Sequence, residues 1–141
     1  MTLTAHHKLA VPVLILLVLL VPGCAAESSS APALETRTGS ASYLSSRLHG
    51  RPTASGEIYD QHELVAAHVG YPLGTRVRVT HLGNGRMVEV RVIDRTGSTA
   101  QEGGPLIDLS REAAERLGFL EQGRAEVRLE VIEWGGEGPQ R

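Results

Sequence analysis

Asp94 closes the segment Val88-Glu89-Val90-Arg91-Val92-Ile93-Asp94, in which valine recurs at every second position. Strand side chains alternate between two faces, so Val88, Val90 and Val92 share one face and Asp94 extends their row, with Arg95 pointing the other way. A carboxylate so placed loses part of its hydration, which disfavours the charged form. It would keep a proton near neutral pH and hand it on, which is the work of a general acid–base catalyst. An Asp at a strand end also serves as an acceptor for backbone N–H groups in a turn, and the residues alone leave both roles open. His68 ends a second apolar row, after Leu64 and Ala66, where a satisfied structural ring and a group assisting the acid are both compatible with its position.

The elements that must position these groups are mainly strands. Short candidates lie at 40–44 and 64–69, and 76–81 alternates Val77 and Val79 against Arg76, Arg78 and Thr80. Leu82-Gly83-Asn84-Gly85 reads as a hairpin turn, because Asn-Gly tolerates the positive φ such turns require. The strand ending at Asp94 follows it, and a last strand at 125–132 buries Val127, Leu129 and Val131. One helix begins at an N-cap, Ser110, and ends at Leu117-Gly118. A loose echo of residues 85–94 in residues 123–133 suggests two similar halves. Many short strands with a single helix favour a small barrel over a layered α/β fold.

Residues 9–21 form an apolar run of 13 residues, too short for a helix crossing a bilayer core of roughly 30 Å but suited to an export signal. Val21-Pro22-Gly23-Cys24 follows, with the pattern of a bacterial lipoprotein cleavage site. The expected organisation is a signal at 1–23, lipidation at Cys24, a Ser-rich flexible tether over 24–38, a domain over 39–134 and a disordered tail at 135–141. Stable anchoring needs several acyl chains, which a lipidated Cys24 would supply to a protein facing an extracytoplasmic space. Ala25 and Ala26 after it point to an outer membrane facing the periplasm. Cys24 is the one cysteine of the 141-residue chain, so no internal disulfide is expected. Lys8 would leave with the signal, and the other 13 basic residues are all Arg against 16 acids. A mature net charge of about −3 argues against nucleic acid as a partner. His49, His62, His68 and His81 lack zinc-like spacing, so no metal or other cofactor is expected, and a monomer is the expected state.

Six motifs occur in an order that resembles one family. Gly50-Arg51-Pro52-Thr53-Ala54-Ser55-Gly56-Glu57-Ile58-Tyr59-Asp60 is followed by Ala66-Ala67-His68, by Tyr71-Pro72-Leu73-Gly74-Thr75-Arg76-Val77-Arg78-Val79 and by Asn84-Gly85-Arg86. Asp94-Arg95 and Ile107-Asp108-Leu109-Ser110 complete the series. This order is similar to that of rare lipoprotein A (RlpA) domains and covers about 39–132. The resemblance implies a mainly β fold, a six-stranded double-psi β-barrel with one short helix, related to expansins and some endoglucanases. It also implies lytic transglycosylase activity on peptidoglycan glycan strands stripped of stem peptides. The chain departs from the pattern after Arg95, where residues 96–104 form a longer, Gly-rich loop.

Such an enzyme cleaves the β-1,4 bond between N-acetylmuramic acid and N-acetylglucosamine without water. A carboxyl protonates the leaving oxygen, then takes the proton of the muramyl 6-hydroxyl as that oxygen closes on C1, so one group in two roles is sufficient. The resemblance puts Asp94 in this role with His68 assisting. It also suggests that Glu57 and Asp60 line the cleft, and that Tyr59 and Arg95 contact sugar rings or carboxyl groups. Asp108 is expected to brace the helix start beside Ser110. An inverting hydrolase with Glu57 or Asp60 as base, and a non-catalytic, expansin-like wall-binding module, are the alternatives.

Overall fold

The computed structural model describes Leu3 and residues 31–96 and 103–136; Cys24, the rest of the signal and residues 97–102 of the long loop lie outside these. Among the described residues no helix is long and apolar enough to cross a membrane.

Six strands close into a barrel in the order β1-β5-β2-β4-β3-β6: β1 Glu35–Tyr43, β2 Val65–Ala67, β3 Arg76–His81, β4 Met87–Asp94, β5 Ile107–Leu109 and β6 Ala125–Glu133. β1 runs parallel to β5 and β2 parallel to β4, while the other four pairings are antiparallel. The hairpin between β3 and β4 forms where Asn84-Gly85 predicts it, with Gly85 at φ +74° and its N–H donating to the His81 carbonyl. The interior holds the valine row of β4 (Val88, Val90, Val92) with Ala66, Val77, Val79, Ile107, Leu109, Val127, Leu129 and Val131. Closure leaves no sheet edge and lets these residues stack from every side.

Helix α1, Arg111–Leu117, packs Ala113, Ala114 and Leu117 into that interior. Ser110 caps it as expected, its Oγ accepting from the Ala113 N–H and donating to the Glu63 carbonyl. Gly118 ends it at φ +82°, the left-handed turn that glycine adopts without strain.

Two boundaries differ from the sequence reading. β1 begins at Glu35, inside the expected tether, and pairs from Glu35 to Ala41 with β6. Only Ala41 of that strand is fully buried, so backbone pairing rather than an apolar row holds it. Gly135, the first residue of the expected tail, donates to Thr75 Oγ1 at 3.0 Å.

A second, smaller cluster sits on the outside of the barrel: Tyr59, Val65 and Ile93, with Leu44 and Leu48 against them. The segment between β1 and β2 folds over this outer face, and the candidate site lies there.

Candidate active site

Asp94 does not extend the valine row. Between β2 and β4 the register runs Ala66 to Val92 and then Ala67 to Asp94, leaving Ile93 as an extra residue. This bulge breaks the two-residue alternation on which the sequence argument depends. Val92 still points into the barrel, Ile93 joins the outer cluster, and Asp94 lines an outer cleft with Leu44, Leu48, Arg51, Pro52, Thr53 and Tyr59. The cleft holds about 250 Å³, and Asp94 is half-buried at its wall.

The first family motif forms the roof of this wall. Residues 50–59 fold back on themselves through Gly50 N–H to Tyr59 carbonyl (2.9 Å), Tyr59 N–H to Arg51 carbonyl (2.8 Å) and Thr53 N–H to Glu57 carbonyl (2.8 Å). The loop then docks on the end of β4. Ser55 N–H donates to the Ile93 carbonyl, and Ala54 N–H donates to Asp94 Oδ1 at 3.0 Å. Arg95 N–H reaches the same oxygen at 2.8 Å. One carboxylate oxygen is therefore fixed by two backbone donors, which orients the group in the cleft.

Glu57 is held by Arg91 in a two-pronged ion pair of 2.5 and 2.8 Å and also accepts from Ser55 Oγ. The Arg91 hydrogen bond holds its carboxyl below the usual range, so Glu57 latches the loop to β4 and is spoken for as a base. Asp60 accepts the His62 N–H at 2.9 Å and lies 3.7 Å from His49 Nδ1, the geometry of a turn-capping acid. Tyr59 is 2 % exposed and belongs to the outer cluster, with burial pushing its phenol up; it is a cleft wall rather than an open stacking platform. Arg95 turns its guanidinium back to the Tyr71 carbonyl at 2.6 Å, bracing the turn after β2.

His68 is joined to Asp94 through the backbone, its N–H donating to the Asp94 carbonyl at 3.1 Å. Its ring goes elsewhere. It is 2 % exposed, stacks on Tyr71 with centroids 3.7 Å apart, and accepts the Gly70 and Tyr71 N–H groups at Nδ1, both at 3.0 Å. Burial, then the charges of Arg37 and Arg95, push its pKa down to about 4, with Glu35 opposing. The ring is neutral and carries its proton on Nε2, which has no partner among the described residues. It lines a separate cavity of about 200 Å³ with Glu35, Arg37, Tyr71, Pro72 and Trp134. Among the described residues the His68 ring makes no hydrogen bond to the Asp94 carboxyl.

Sequence reasoning also misplaced Asp108. It lies in β5 rather than at the helix cap, and its Oδ1 accepts the Ser42 hydroxyl. Burial pushes its carboxyl up, against the lowering effects of Ser42 and Arg124. Among the described residues no group of three or more His, Cys, Asp or Glu is placed to hold a metal ion.

A closed six-stranded barrel of mixed pairings with one helix is the arrangement of the double-psi class. Residues 36–129 match the family model described as lytic transglycolase. The chain belongs to this RlpA-like double-psi β-barrel family. It is 45 % identical over 104 residues to the endolytic peptidoglycan transglycosylase RlpA of Neisseria meningitidis serogroup A, covering 74 % of this chain and 42 % of that one. The chain thus spans about two-fifths of that relative's length. Among solved structures, a Streptomyces papain inhibitor has a TM-score of 0.57 at 23 % identity, covering 74 % of this chain and all of the inhibitor. A Clavibacter michiganensis expansin has a TM-score of 0.56 at 21 % identity, covering 73 % and 53 % respectively. At these identities the two structures speak for the fold.

Proposed function

We propose that this domain is an endolytic peptidoglycan lytic transglycosylase that cuts MurNAc-β-1,4-GlcNAc bonds in denuded glycan and leaves 1,6-anhydro-muramyl ends. The observation that carries the reading is Asp94: a half-buried carboxyl, aimed into a cleft by two backbone donors, one of them from the Gly50–Asp60 motif. A carboxyl held in this way can meet both the glycosidic oxygen and the muramyl 6-hydroxyl. His68 acts as a positioning residue: its ring fixes the turn at residues 68–71, and its N–H ties that turn to the Asp94 main chain. Glu57, through Arg91, holds the roof of the cleft, and Tyr59 shapes its wall. Glu57, locked to Arg91, is not free to be the base of an inverting hydrolase, and Asp60 caps the turn at His62.

The test is digestion of purified denuded glycan with mass spectrometry of the products. Anhydro-muramyl ends that disappear in Asp94→Asn support the reading, whereas reducing ends alone exclude a transglycosylase. The engagement of Arg95, Glu57 and Asp60 in internal bonds favours one rival, a wall-binding module. Wild type and Asp94→Asn that bind glycan equally and cut nothing would establish that rival.

Lipidation at Cys24 and a place on the outer membrane facing the periplasm belong to the same proposal. Intact-mass analysis of the mature N-terminus and membrane fractionation of Cys24→Ala check both.

A further inference from the structure

A buried donor stands beside the cleft without a partner. The His68 ring is 2 % exposed, and its Nδ1 accepts the Gly70 and Tyr71 N–H groups. The proton is therefore on Nε2, which bonds to nothing among the described residues. Buried donors in native proteins nearly always meet an acceptor. The ring lines a cavity of about 200 Å³. A water takes roughly 30 Å³ of liquid, so a group of several heavy atoms fits.

The rest of the lining says what kind of group. Tyr71, Pro72 and Trp134 make an apolar wall, with Trp134 edge-on to Tyr71 at 5.5 Å between centroids. Glu35 and Arg37 bring one charge of each sign and cancel. Glu35 Oε1 accepts from Arg37 Nε at 2.6 Å and from the Tyr71 hydroxyl at 3.1 Å. An anionic ligand would face the Glu35 carboxylate, and a cationic one the Arg37 guanidinium. The complement is a neutral group with an acceptor for His68, a donor for Glu35 and a small apolar end. An acetamido group has all three, in its carbonyl, its N–H and its methyl.

We propose that this cavity is a subsite for the N-acetyl group of a glycan sugar, with His68 Nε2–H donating to the acetyl carbonyl and the Tyr71 and Trp134 wall holding the methyl. For the identity of the glycan this rests on the transglycosylase reading, since both sugars of a peptidoglycan strand carry the group. The subsite adjoins the cleft. The turn over residues 68–71 that walls it is tied to the Asp94 carbonyl by the His68 N–H at 3.1 Å. The Arg95 guanidinium holds the same turn at the Tyr71 carbonyl, at 2.6 Å. A strand gripped here by one sugar presents a neighbouring linkage to Asp94. A plain glucan carries only a hydroxyl at the same carbon, a shorter group that leaves the wall and the His68 donor unmet.

Chitotetraose and cellotetraose test this on the full chain. They differ only in the acetamido group at C2, and neither contains muramic acid, so binding is read apart from cleavage. By calorimetry chitotetraose should bind about 10-fold or more tighter than cellotetraose, and in NMR it should shift the His68 Nε2–H resonance. Trp134→Phe keeps an aromatic wall and should retain the preference, which Trp134→Ala should lose. Equal affinities for the two tetramers, or a His68 resonance unmoved at saturation, overturn the subsite whatever the variants do. The activity is judged separately, by anhydro ends released from denuded glycan. Their absence beside an intact tetramer preference sinks the transglycosylase and leaves the subsite standing.

Discussion

Acidification from pH 7 to pH 5 should weaken the domain through His68 alone by about 2 kcal/mol. The ring's pKa falls from 6.5 to about 4 on folding, chiefly through burial, with Arg37 and Arg95 adding repulsion and Glu35 partly offsetting them. The folded state therefore favours the neutral ring. Its contribution is fully present above pH 6.5 and is lost as the pH falls toward 4, because the unfolded chain takes up a proton that the folded one refuses. A gap of about 2.5 units corresponds to about 3 kcal/mol in full, and roughly two-thirds of it is lost by pH 5. Urea unfolding at both pH values is the assay. With m of about 1–2 kcal/mol/M, the midpoint should drop by about 1–2 M on this account. His68→Gln does not titrate and keeps an acceptor oxygen, so subtracting its pH dependence removes the contributions of all other groups. Parallel losses in wild type and His68→Gln would refute the reasoning, and with it the assignment of a neutral, buried ring that accepts the Gly70 and Tyr71 N–H groups.

Three further outcomes follow from particular contacts. Ser110→Ala removes the α1 cap and the bond to the Glu63 carbonyl; it should cost about 1–2 kcal/mol and lower the calorimetric Tm by several degrees. Gly135→Ala would drive a methyl group into the Leu73 carbonyl, and denaturant titration should register a loss of about 1–3 kcal/mol. Glu57→Gln breaks a pair whose partners are both about two-fifths exposed. Stability should fall by no more than about 1 kcal/mol, but limited proteolysis should cut residues 50–59 faster, and unchanged cutting would deny the latch.

The sequence made much of this barrel legible where side chains alternate or punctuate. The valine row of β4, the Asn84-Gly85 turn, the Ser110 cap and the β6 row of Val127, Leu129 and Val131 all stand where local pattern puts them. It failed where pairing rather than side-chain type decides. β1 carries few apolar residues and is held by its ladder to β6, and β5 is three residues long. The site shows the same division. Asp94 stood out, but the argument assumed unbroken alternation, and the extra residue Ile93 reverses the face. Asp94 and Asp108 stand in register on either side of Ala67, on strands drawn from distant parts of the chain, which no local reading of spacing could show.

The contact between Ala54 and Asp94 is made by main chain, with no side chain of the loop involved. Exchanging Ala54 for any residue but proline leaves the donor where it is, whereas inserting or deleting a single residue between the Pro52–Ile58 bridge and that contact carries it away. The side chain at position 54 is therefore free to vary where the length of the hairpin is not.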